Sequence, residues 1–169
     1  MSTPQKILQV IPVSITYTPA GGTASVFTDF SEVVNFLYSN TMVDIASQSS
    51  TLPIGKLITA EAASLKTMFN NFNLQQLLSI TSNPDSGYAS ATDTATISGG
   101  NFNPKYGVVV FVGRETATGH TITITLNKGI AIPNMDVMFG KAQEARVAVT
   151  FEALRPDTGP AVTIAYSAV

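Results

Sequence analysis

Cysteine and tryptophan are absent from this sequence, and histidine occurs once. Without cysteine there is no disulfide framework, no thiolate zinc site and no thiol nucleophile. Charge is scarce too: Asp, Glu, Lys and Arg make up 12% of the chain, against about 25% in ordinary soluble domains. Lys and Arg do not cluster, so the basic stripe of a sequence-reading nucleic-acid binder is missing. No apolar run approaches the roughly 20 residues that span a bilayer. The start, Met1-Ser2-Thr3-Pro4-Gln5-Lys6, lacks the charged-then-apolar layout of a signal peptide. The expectation is a soluble protein made in the cytoplasm.

The same shortages weigh against catalysis, which needs titratable groups brought together. The single histidine, His120, precedes an alternating Thr/Ile segment and reads as a solvated turn residue. No G-x-S-x-G elbow accompanies it, and no second His or Cys could complete a metal sphere. Asp29 and Glu32 stand at the spacing of a helix capping box. Glu144 and Glu152 flank a strand, and Asp85 and Asp157 belong to turns. The glycine pairs Gly21-Gly22 and Gly99-Gly100 form no phosphate cradle, and Gly140-Lys141 is followed by Ala142 where a P-loop needs Ser or Thr. The expectation is a non-enzyme with no catalytic residue, cofactor or metal.

Present in quantity are hydrophobic residues, at 44%, with Thr and Ser in place of charge. The net charge is −2, and a weakly charged surface tends to associate. Two readings follow: a Thr-rich β domain that tolerates a neutral surface, or a surface largely covered by neighbouring subunits. The second is favoured. At 169 residues the chain suits one domain, 1–169, with a possible N-terminal arm (1–22) and two polar loops (39–51 and 86–100).

Periodicity makes it mainly β. Ile11, Val13, Ile15 and Tyr17 alternate with Pro12, Ser14 and Thr16, and Pro12 predicts an edge strand or a bulge. Phe30, Val33, Val34 and Leu37 fit a short helix. Leu57–Leu65 reads as a strand. A helix begins beyond Asn71 or Asn73, with Leu74, Leu77 and Leu78 on one face. Val108–Val112 is a continuous apolar run, expected to be buried on both faces. Ile122, Ile124 and Leu126 point inward in the next strand, as do Val147, Val149 and Phe151 further on. Arg155-Pro156-Asp157-Thr158-Gly159 is the hairpin turn before a last strand, Val162–Tyr166. The fold class is an antiparallel β-sandwich, or barrel-forming sheet, with one flanking α-helix.

Two segments resemble the tail-tube (major tail) proteins of long-tailed phages. One is Thr51-Leu52-Pro53-Ile54-Gly55-Lys56 running into Ile58-Thr59-Ala60-Glu61-Ala62, with the helix Asn73-Leu74-Gln75-Gln76-Leu77-Leu78. The other is Ile132-Pro133-Asn134-Met135-Asp136-Val137-Met138-Phe139-Gly140-Lys141, continuing from Glu144 to Leu154. The first fifty residues have no counterpart. The resemblance implies hexameric rings of identical subunits whose inner strands join into one barrel. Stacked rings would form a tube through which DNA passes without specific binding, in a virion tail beside other tail proteins. Low surface charge suits such a lumen, because Lys and Arg contacts to phosphate would slow passage. In that family a long loop reaches the next ring, which makes Val43, Asp44, Ile45, Ser47, Gln48 and Ser49 the expected assembly residues, with 86–100 the next candidate. Other expectations are a head decoration, tail terminator or baseplate ring protein, or a small β-sandwich binding carbohydrate or another ligand. Such a binder stacks ligands on exposed aromatics, and only Tyr88 and Tyr106 offer themselves in loops.

Overall fold

The computed structural model describes residues 10–45, 55–81, 87–97, 104–136 and 146–168. The strands are β1 (Val10–Pro19), β2 (Ser25–Phe27), β3 (Asn35–Ile45), β4 (Gly55–Asn70), β5 (Gly87–Ala89), β6 (Thr94–Thr96), β7 (Gly107–Glu115), β8 (Thr121–Asp136), β9 (Arg146–Ala153) and β10 (Val162–Ser167). One helix, α1 (Leu74–Ile80), follows β4. The main sheet runs β2-β1-β7-β8-β9-β4-β3 with β10 also on β8, while β5 and β6 pair separately. Every pairing is antiparallel.

Strands far apart on that path meet face to face. Phe27 of β2 stacks on Phe69 of β4 at 4.4 Å between ring centroids, and Tyr17 of β1 lies 5.8 Å from Phe151 of β9. The sheet is therefore folded over itself into a sandwich around one core, in which Tyr17, Leu65, Leu126, Val147 and Phe151 are buried. Within the sheet Gly129 of β8 pairs with Gly107 of β7 on one side and Ala153 of β9 on the other. A Cβ there would sit 3.0 Å from Val109 Cγ2, a tight contact that glycine avoids.

Several expected elements are in place. α1 is capped by Asn73, whose side chain accepts from the Gln76 N–H while Gln76 reaches back to the Asn73 N–H. Ile122, Ile124 and Leu126 are buried, as are Val147, Val149 and Phe151. Gly159 takes φ +82 in the Pro-Asp-Thr-Gly turn. Around Pro12 the β1–β7 register slips between Pro12 and Ser14. That bulge inverts the phase of β1: Ile15 and Tyr17 are buried, whereas Ile11 and Val13 face out.

Other expectations are corrected. The segment from Phe30 to Leu37 is not helical: Phe30 forms an isolated bridge to Phe69, and β3 begins at Asn35. Its β-branched and aromatic residues suit a strand equally well, and β4 supplies a partner that local periodicity does not reveal. Asp29 consequently caps no helix, and its carboxylate accepts from the Asn71 side chain at 2.6 Å. Residues 39–45, expected as a loop, complete β3, while 46–51 lie outside the described residues. Within 86–100, β5 and β6 form a small hairpin closed by the Tyr88 hydroxyl on Asp93. β7 is buried on one face only, with Val109 and Phe111 inside and Val108 exposed. The turn at 155–159 joins two strands that pair with β8 and not with each other.

Candidate assembly surface

β3 and the outer half of β4 form an arm that leaves the sandwich. The strands pair from Asn35↔Lys66 to Ile45↔Gly55, but β9 covers β4 only from Ser64 to Asn70. Burial follows that boundary: from Ala63 inward every second residue is buried (Ala63, Leu65, Thr67 and Phe69), whereas Lys56 to Ala62 are all exposed. A slip between Thr41 and Met42 leaves Thr59 as the extra residue, and the Thr59 hydroxyl donates to the Thr41 carbonyl at 3.2 Å.

Opposed residues share a face, so Met42 with Ile58 and Asp44 with Lys56 lie on one side, and Val43 with Leu57 on the other. Val43 is 53% exposed and Leu57 59% exposed. Leu37, Met42, Ile45 and Ile58 are exposed as well, which makes the arm apolar on both faces. Polar clips hold its pairing: Lys56 Nζ lies 3.1 Å from Asp44 Oδ1, and the Tyr38 hydroxyl donates to Glu61 Oε1 at 2.9 Å. That bond to Glu61, with desolvation and the carboxylate charge, raises the Tyr38 pKa above its ordinary value. Between the arm and the turn after β9 lies an open groove of about 830 Å3.

His120 sits apart from the arm, in the β7–β8 turn. Its Nδ1 is 2.5 Å from the Tyr166 hydroxyl of β10, which also donates to Glu115 Oε2 at 2.8 Å. A hydroxyl has one proton, so Nδ1 is the donor to Tyr166. The Thr118 hydroxyl also donates to Glu115, whose side chain is buried at 1% exposure. Desolvation, and then the bond to Glu115, raise the Tyr166 pKa. The arrangement ties β10 to the turn. No cluster of three metal-ligating side chains occurs among the described residues. His120 is thus a bonded residue and not the solvated one expected. A signal was present: Glu115 continues the inward series Val109, Phe111, Gly113 of β7, and a carboxylate on a core face needs donors.

No family model matches the sequence, and no curated protein matches it. A solved structure described as "Cryo-EM structure of the anti-feeding prophage (AFP) baseplate, 6-fold symmetrised" is similar over 99% of this chain and 98% of that one, at 12% identity and a TM-score of 0.46. A likeness that loose leaves the role of this chain to be argued from its own residues.

Of the expected assembly residues, Val43, Asp44 and Ile45 stand together near the outer end of β3. Ser47, Gln48 and Ser49 lie outside the described residues. The apolar partners across the ladder, Leu57 and Ile58, escaped the sequence reading because pairing between distant segments puts them there. Tyr88 is bonded to Asp93, and the Lys128 ammonium stands 5.6 Å over the Tyr106 ring.

Proposed function

We propose that this chain is a structural component of a phage virion that assembles with copies of itself into hexameric rings, stacked as a tail tube for DNA passage. The observation that carries the reading is the arm: paired strands, apolar on both faces, that nothing in the described chain covers. Contiguous apolar surface of this kind marks an interaction site. β3 also ends the sheet with an edge that has no partner among the described residues and carries no lysine, and an unprotected edge is a template for another strand. Low net charge favours the same outcome. Contacts through Val43, Asp44, Ile45 and the following Ser47, Gln48 and Ser49 would join successive rings. No catalytic residue, cofactor or metal enters this role, and its partners are other copies and other tail proteins.

Sedimentation velocity across a concentration range, with negative-stain grids of the same samples, tests the reading. Rings or tubes that grow with concentration are expected. A monomer at every concentration, with bare grids, overturns it.

A further inference from the structure

The groove beside the arm has one wall made of β4 from Ile58 to Ala63 and another made of the turn from Leu154 to Val162. Since β9 pairs with β4 only from Ser64 onward, the edge of Gly55–Ala63 turned away from β3 has no strand partner among the described residues. Unpaired ladder N–H and C=O groups are satisfied by an extended backbone, through strand addition. The rims differ in charge: Glu61 stands on the β4 side and Arg155 on the turn. Both are exposed, and Arg155 makes no ion pair among the described residues.

The arm matches this groove in three respects. Its outer strand, β3, runs for 11 residues with no partner on its outer edge among the described residues. Its faces are apolar, as are Leu154, Pro156 and Val162 along the groove. Its outer end carries Asp44 and Lys56, a pair of opposite signs held only by an exposed bridge, which costs little to exchange.

We propose that the groove receives the arm of a second copy, β3 edge against β4 edge, with Asp44 meeting Arg155 and Lys56 meeting Glu61. The contact joins two different patches and is head-to-tail, so repetition builds rings or open stacks and not a two-fold dimer. It rests on the self-assembly reading and names the acceptor that reading lacks.

Charge reversal tests it. In sedimentation velocity, Arg155→Glu should raise the concentration of half-assembly by about tenfold, as loss of a close interfacial charge pair does. Adding Asp44→Arg to that variant should restore assembly to within about threefold of the parent, because the reversed pair attracts again. Both positions are exposed, so circular dichroism should match the parent throughout; should Arg155→Glu misfold, Arg155→Gln reads the same contact without reversal. If the single variant assembles like the parent, or the double variant stays as weak as the single, the groove is not the acceptor, although copies still associate. A parent that remains monomeric overturns the proposal together with the self-assembly reading.

Discussion

Tyr166 donates to the buried Glu115 and accepts from His120, so removing its hydroxyl takes a donor from a carboxylate that water does not reach. A hydrogen bond to a charged group contributes about 1.5–3 kcal/mol, while an ordinary one contributes about 0.5–1.5 kcal/mol. Tyr166→Phe should therefore destabilise more than His120→Ala, which urea melts of the two variants can rank; the reverse order would mean that the histidine anchors the turn. The Tyr166 pKa is raised from 10.0 by desolvation and by the bond to Glu115. Because the fold favours the neutral phenol, its stabilisation is complete below 10.0 and is lost as pH rises through the higher folded value. Melts at increasing alkaline pH should show the parent converging on Tyr166→Phe. Thr67 is the opposite case: its hydroxyl is buried with no partner among the described residues. Thr67→Val, similar in shape and free of that polar group, should raise stability by about 1 kcal/mol.

At the scale of elements, β9 and α1 depend on different interactions. β9 sits between β8 and β4 and turns Val147, Val149 and Phe151 into the core. Phe151 also contacts the Tyr17 and Phe69 rings. Phe151→Ala should cost about 3–5 kcal/mol, as core phenylalanines do, and an unchanged melting curve would place that face in water. α1 is only 7 residues long, too short to stand alone, and is held by its cap and by Ile80 in the core. Asn73→Ala should cost about 1 kcal/mol, visible as a lower midpoint in denaturant with the slope unchanged.

For the whole molecule, the division between sandwich and arm sets what can be changed independently. Val43 and Leu57 face each other beyond the last residue covered by β9. Replacing both with threonine puts a β-branched, strand-favouring residue at each position and removes apolar surface that only a neighbour could cover. The melting temperature of Val43→Thr/Leu57→Thr should stay close to that of the parent, within about 0.5 kcal/mol per surface change. Self-association in the same samples should weaken. A variant that melts early but assembles normally would mean the arm belongs to the core of its own subunit.

The mainly β character, the capped helix and the inward faces of β8 and β9 were legible in the sequence, because each is a local pattern: alternation, a cap with its box, a turn with Pro and Gly. The bulge near Pro12 was legible for the same reason, but its effect was not, since the inversion of phase that exposes Ile11 and Val13 arises from pairing with β7. The helix expected at Phe30–Leu37 and the loop expected at 39–45 failed where local preference was balanced and a strand distant in sequence decided the matter. Val108–Val112 looked buried on both sides because hydrophobicity alone does not say which face another layer covers. Tyr166 lies 46 residues from His120 and 51 from Glu115, and only antiparallel pairing of β10 and β7 with β8 brings it to them. Composition determined that this chain has few charges with which to keep copies apart. The tertiary structure decided where the exposed apolar surface collects, because covering of β4 by β9 stops at Ser64 and the strand continues for nine residues beyond it, from Ala63 to Gly55.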